Sequence, residues 1–210
     1  VNTTNLDLQT KTFKIVTRRM PLFVLWRCSF LLVLTAAISA ELCQLLPERT
    51  CPCSSVTVET IVKWDINCTG IELGPTLQQL NPQLDDKPIH VKSLDFTDCG
   101  IETMVVEVFN NTVGIEVLHL TSNKLSVLPE SLKALNDLKI LNLGGNSITY
   151  IPGAIFNDKA KMEVLHLGDN KVGEIAENAF HEELVDLDLS HNLLEVVPQK
   201  SLSSLASLKI

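Results

Sequence analysis

The chain has 210 residues and carries 17 lysines and arginines against 25 aspartates and glutamates, a net charge of −8 with its five histidines neutral. That balance argues against nucleic acid as a partner, because a phosphate backbone is neutralised by clustered cations. It favours a protein partner with a cationic surface, although solubility alone accounts for much acidity.

Residues 1–19 are polar, contain no initiator methionine and share no pattern with the remainder of the chain; they read as an upstream extension absent from the mature protein. Residues 20–40 read as a secretory signal peptide. Arg27 closes a positive n-region, Cys28 to Ile38 forms a mostly apolar h-region, and Ala36-Ala37-Ile38-Ser39-Ala40 offers small residues for cleavage, expected after Ala40. The rival reading is an uncleaved anchor, since Leu22 to Ala40 approaches the length of a bilayer span. Arg27 inside such a span is costly, which favours cleavage. Removing both segments takes away Lys11, Lys14, Arg18, Arg19 and Arg27 but, of the acids, Asp7 alone, so the mature segment stands near −12. The expected location is secreted or on the extracellular side of the cell surface.

Residues 41–74 hold four cysteines, Cys43, Cys51, Cys53 and Cys68, spaced C-x7-C-x-C-x14-C. Two C-x2-C pairs are missing and the signal peptide implies an oxidising compartment, so a zinc site is the weaker reading and disulfides the stronger. Four cysteines allow three pairings by arithmetic. The alternation Lys63-Trp64-Asp65-Ile66 predicts a strand with Trp64 and Ile66 on one face, laid against the end of the C-terminal region. Residues 75–90 form a connecting segment, with Leu77 to Leu84 at most a short helical or irregular stretch between Pro75 and Pro88.

From residue 91 to 210 one phrase recurs five times: apolar-x-x-Leu-x-apolar-x-x-Asn/Cys-x-apolar. The copies open at Val91, Ile115, Leu138, Met162 and Leu184, and a sixth begins at Leu208. Their period of about two dozen residues identifies a leucine-rich repeat array, in which each unit supplies one short strand and a return segment. The fold class expected is an α/β-type solenoid, a right-handed horseshoe with a concave parallel β-sheet and mostly irregular convex segments. Asn123, Asn146, Asn170 and Asn192 fall where the strand ends and the chain turns, stacked as a ladder that satisfies turn backbone groups, with Cys99 on the same rung in the first repeat. Phe109, Leu132, Phe156, Phe180 and Leu202 form a second apolar column on the convex side.

The cysteines ahead of these repeats resemble the N-terminal cap of extracellular leucine-rich repeat proteins such as decorin, slit and the Toll-type receptors. That resemblance implies pairing of first with third and second with fourth, Cys43 with Cys53 and Cys51 with Cys68. The latter closes a loop of about 18 residues, contributing on the order of 3 kcal/mol in the chain-entropy model.

A binding function would sit on the concave columns. The residue between the two strand leucines runs Asp95, His119, Asn142, His166, Asp188, and two positions earlier the column runs Ser93, Val117, Ile140, Val164, Asp186. The second is an apolar stripe beside a polar column, with Glu116 and Glu163 at its flank, and all are expected to face outward. An apolar centre with a polar rim suits a protein interface, although β-branched residues are also simply good strand formers. His119 and His166 lie two strands apart, near 10 Å, too far to share one zinc ion at ligand distances of about 2 Å. No Ser–His–Asp arrangement with an oxyanion cradle is legible, and Gly144-Gly145 belongs to a repeat turn rather than a phosphate loop. No catalytic residue, metal or cofactor is therefore expected. Sequons at Asn67-Cys68-Thr69 and Asn110-Asn111-Thr112 mark Asn67 and Asn110 as candidate glycosylation sites; Asn2-Thr3-Thr4 lies ahead of the signal and is expected to be silent. The expectation is a non-catalytic extracellular module for adhesion, receptor recognition or matrix association. The alternative is an accessory subunit of a secreted enzyme complex.

Overall fold

In a computed structural model of the chain, the residues described are 51, 53–58, 61–77, 88–153, 155–156, 159–203 and 205–208. The upstream extension, the signal peptide, Cys43 and most of the connecting segment lie outside them. Among the described residues no helix is long and apolar enough to cross a membrane.

One sheet runs through the described residues. Strand β1 (Cys53–Val58) forms an antiparallel hairpin with β2 (Ile61–Asn67). From β2 the pairing becomes parallel through β4 (Ile89–Asp95), β7 (Val117–His119), β8 (Ile140–Asn142), β10 (Val164–His166) and β12 (Asp186–Asp188), each strand beside the next. The return segments hold short pieces: β3 (Thr76–Leu77) beside β5 (Thr103–Met104), β6 (Thr112–Val113) beside β4, β9 (Tyr150–Ile151) beside β11 (Glu174–Ile175), two 3-10 turns at Val106–Phe109 and Glu130–Ala134, and one helical turn α1 (Gln199–Leu202). Consecutive repeat strands are parallel because each is separated from the next by a full return crossing, which a hairpin could not provide.

The alternation read from the sequence produces this core. Leu94, Leu118, Leu141 and Leu165 stack in register between coils and are fully buried, as are Phe96, Leu120, Leu143 and Leu167 two positions on. Phe109, Leu132, Phe156 and Phe180 close the far side of the core, with the rings of Phe156 and Phe180 stacked 6.5 Å apart; Leu202 is half-buried in the last coil.

The turn after each strand is held by the asparagine column. The Nδ2 of Asn146 donates to Leu143 O at 2.9 Å in its own coil and to Leu120 O at 2.9 Å in the coil before, while its Oδ1 accepts from Leu125 N at 3.0 Å. Asn123, Asn170 and Asn192 repeat the same three-way contact. Each side chain thus ties two coils together and satisfies backbone groups that burial would otherwise leave unpaired. The residue just before each rung is left-handed: Asp98, Ser122, Gly145, Asp169 and His191 have φ between 52° and 66°. Cys99 works with one bond fewer. Its thiol donates to Cys68 O at 3.0 Å and its sulfur accepts from the Ile71 backbone N–H, while the rest of the turn is tied by backbone bonds, Ile71 N to Cys68 O within the earlier coil and Leu73 N to Cys99 O between the two coils.

The cysteine-bearing segment ahead of the repeats is itself a coil of the sheet. Strand β2 pairs in parallel with β4, with Ile66 beside Leu94 and Asn67 beside Asp95, and Cys68 N donates to Asp95 O as Phe96 N does to His119 O one coil later. Trp64 and Ile66 are buried, as their alternation predicts, and the parallel sheet therefore begins ahead of Val91. Cys51 is disulfide-bonded to Cys68. Cys53 is also in a disulfide, while its expected partner Cys43 lies outside the described residues. Among the described cysteines Cys99 alone is a free thiol, and burial first of all pushes its pKa up to about 11. A thiol held protonated in this way is a packing residue with little nucleophilic character.

Candidate concave binding face

The outward face of the parallel sheet carries three columns, and strand register aligns each across the coils. The central column, Ser93, Val117, Ile140, Val164 and Asp186, is paired residue to residue. Val117, Ile140 and Val164 are half-buried rather than freely exposed. Their side chains stand about 4.8 Å apart on neighbouring strands, so each covers part of the next. Asp186 ends the stripe and is exposed.

Toward the carboxyl ends of the strands the next column holds Asp95, His119, Asn142, His166 and Asp188, joined by Asn67 on the cap strand. Four of these six have a local duty. The Oδ1 atoms of Asn67, Asp95, Asn142 and Asp188 accept hydrogen bonds from the backbone N–H two residues on, at 2.8–3.0 Å from Thr69, Thr97, Gly144 and Ser190. These are Asx turns that close the strand ends. Asp95 keeps a second carboxylate oxygen beyond its turn, whereas Asp188 also accepts from the Ser190 side chain. His166 Nε2 lies 3.5 Å from Asp186 Oδ2, and His191 Nδ1 lies 3.5 Å from Asp169 Oδ1. Hydrogen bonds from the Ser190 side chain and backbone, helped by His166 and His191, hold the Asp188 carboxyl below its usual range. His119 and His166 sit on β7 and β10 with β8 between them, and no group of three or more metal-capable side chains forms among the described residues.

The third column, at the amino ends of the strands, alternates in sign: Lys92, Glu116, Lys139, Glu163. Backbone bonds from each to the previous one fix the stacking, Glu116 N to Lys92 O, Lys139 N to Glu116 O and Glu163 N to Lys139 O. Glu116 accepts from Lys139 Nζ at 3.0 Å and lies 3.8 Å from Lys63 Nζ. The Lys139 hydrogen bond lowers the Glu116 carboxyl and correspondingly raises the Lys139 ammonium. The sequence reading picks out Glu116 and Glu163 but misses the lysines, whose signal is their alternation with glutamate right after the opening apolar residue of each repeat.

Where the hairpin meets the first coils, an open cleft of about 440 Å³ is lined by Cys53, Ser54, Asp65, Ile66, Asn67, Ser93, Asp95 and His119. The sequence reading places the candidate face on the repeats alone and misses this extension onto the cap. Asn67 lies in it, so a glycan there would fill the cleft. Asn110 is exposed just past the first 3-10 turn, away from these columns.

A parallel sheet built one strand per coil, closed by an asparagine at each turn, defines a leucine-rich solenoid. The leucine-rich repeat family model matches residues 89–148 and 160–210, and the chain belongs to that family. Over 81 residues, 38% of this chain and 2% of the relative, it is 33% identical to a probable serine/threonine-protein kinase, roco9, of Dictyostelium discoideum. A chain from the Drosophila Toll–Spatzle complex matches with a TM-score of 0.49 and 28% identity, covering 55% of this chain and 16% of that one. The chain thus spans a small part of either relative. Arrays of this family are consistent with protein-binding modules, since stacked repeats present an extended surface on one side.

Proposed function

We propose that this chain is a non-catalytic extracellular module that binds a protein ligand on the concave face of its sheet. The observation that carries the reading is the half-buried apolar column Val117–Ile140–Val164, facing away from the core and framed on both sides by polar columns. A surface with an apolar centre and a polar rim is what a protein interface requires. Extracellular placement is supported by the Cys51–Cys68 bond and the second disulfide at Cys53, which persist in an oxidising compartment. With the signal sequence ahead of them, these favour secretion, with Asn110 available to a glycan that leaves the concave face open. In this reading Cys43 pairs with Cys53, and the ligand serves adhesion, receptor recognition or matrix association.

The test replaces Val117, Ile140 and Val164 together by threonine, which keeps the branched strand-forming shape but puts a hydroxyl in place of a methyl at the two valines and of an ethyl at Ile140. Protein secreted from a eukaryotic host and immobilised on beads is used to capture partners from extracellular fluid and cell surfaces. Captured partners should fall on the order of tenfold or more with the triple variant, given about 0.8 kcal/mol per methyl group withdrawn from an apolar contact, while circular dichroism stays unchanged. Retention of every partner would move the site to another face. Recovery of a secreted enzyme among the captured proteins would favour the accessory-subunit role instead.

A further inference from the structure

The two edges of the concave face differ in how their charges are paired. At the amino edge, charges cancel within the protein: Lys63, Glu116 and Lys139 are joined by contacts of 3.8 and 3.0 Å, and the column alternates in sign along its length. At the carboxyl edge there is no such cancellation by a lysine or arginine. The four residues from each strand end through its turn are Asn67-Cys-Thr-Gly70, Asp95-Phe-Thr-Asp98, His119-Leu-Thr-Ser122, Asn142-Leu-Gly-Gly145, His166-Leu-Gly-Asp169 and Asp188-Leu-Ser-His191. Across six coils they contain four aspartates, three histidines and no permanent cation. Lys124 and Lys171 come beyond the ladder, and Lys124 is engaged 3.8 Å from Glu102.

The Asx turns do not use up this charge. Asp95 and Asp188 each give one oxygen to a backbone N–H, but Asn67 and Asn142 do the same job without a charge in the same column. Turn geometry alone therefore accounts for an oxygen at these positions and not for a carboxylate. Asp95 and Asp188 are half-buried, and Asp186 adds an exposed carboxylate at the end of the apolar stripe, 3.5 Å from His166 Nε2.

We infer that the ligand is a polypeptide segment with an apolar ridge for the Val117–Ile140–Val164 stripe and lysine or arginine side chains along one flank, docked so that this basic flank overlies the carboxyl ends of the sheet strands. The inference rests on the concave-face reading above and adds a chemical class and a direction to it. Charge complementarity carries it: a basic flank meets carboxylates whose nearest basic neighbours are histidines rather than lysines or arginines at one edge, and a ladder already paired with lysines at the other, which also sets which way round the segment lies.

The experiment uses the secreted product of the full chain and two synthetic fluorescent peptides of identical length with the same alternating valines, one with lysine and one with glutamate at the remaining positions. Fluorescence anisotropy at low salt should show the lysine peptide binding at least about tenfold tighter than the glutamate peptide, with the difference shrinking as salt screens it. Asp95→Asn, Asp186→Asn and Asp188→Asn combined preserve the turns and should lower lysine-peptide affinity about tenfold, at a few-fold per exposed ionic contact. Glu116→Gln with Glu163→Gln should change it less than about twofold, since those carboxylates belong to a self-neutralised column. Equal binding of both peptides, no binding of the lysine peptide at millimolar concentration, or equal effects at the two edges would overturn the inference. The threonine triple variant separates the two levels. Peptides that bind equally yet are lost in that variant leave the concave reading standing and remove only the charge assignment. Lysine-peptide binding that survives in that variant removes the concave site itself.

Discussion

At the scale of single residues, the turn asparagines and Ser131 pull in opposite directions. Asn146 serves backbone groups of two coils from a buried position. Asn146→Ala would leave Leu125 N without its acceptor and Leu120 O and Leu143 O without one donor each. At about 1–3 kcal/mol for a buried unsatisfied group, the loss should be roughly 2–4 kcal/mol, read as a lowered urea midpoint. A midpoint within error of the wild type would mean that water replaces the side chain. Ser131 is buried, and its Oγ has no hydrogen-bond partner. In the last coil the equivalent Ser201 donates to Ala176 O at 2.7 Å, and in the two coils between, the same place is held by buried Ile155 and Ala179. Ser131→Ala should therefore stabilise the protein by about 1 kcal/mol, because it removes a desolvated hydroxyl and leaves no cavity. A thermal melt that falls instead of rising would show that the hydroxyl has a partner in solution.

At the scale of elements, the repeats are the legible part and the cap is not. Strands β7, β8 and β10 fall on the leucine alternation because buried and outward positions differ in chemistry at every step. Strand β2 also shows its buried face through Trp64 and Ile66. Its place as the first parallel strand of the same sheet is hidden, because Ile66, Cys68, Ile71 and Leu73 stand where the next coil has Leu94, Phe96, Cys99 and Ile101, and no asparagine marks the turn. Backbone bonds to Cys68 O and Cys99 O do the asparagine's work there, and such bonds leave no trace in side-chain identity. The candidate site divides the same way. Its columns can be read from the repeat phase, whereas the half-burial of Val117, Ile140 and Val164 depends on neighbours in other coils. The ion pairing of Lys63 with Glu116, two strands apart in the sheet, likewise emerges only once β2 takes its place beside β4.

At the scale of the whole array, the two ends of the described sheet are finished differently. The first coil is covered by the β1–β2 hairpin and closed by the Cys51–Cys68 bond. In the last coil Leu193, Val196 and Val197 are 63%, 77% and 69% exposed. One coil earlier the position of Val197 is held by half-buried Ile175, and two coils earlier by fully buried Ile151. Leu187 and Leu189 are only half-buried where Leu165 and Leu167 are sealed, and among the described residues β12 pairs on one side alone. Solenoid stability comes from interfaces between neighbouring coils, and an apolar flank beside an unpaired strand edge invites a second chain to add to it. The secreted product of this chain should therefore self-associate through this end, its apparent mass by light scattering rising with concentration. Val196→Lys with Val197→Lys should shift it toward monomer by placing charge on the exposed flank. Appending one repeat with a polar outer side should remove the association and raise the melting temperature together, since it buries the Leu187 and Leu189 flank and pairs β12. A secreted product that stays monomeric at high concentration and gains no stability from the added repeat would mean that the coil ending in α1 already serves as a cap.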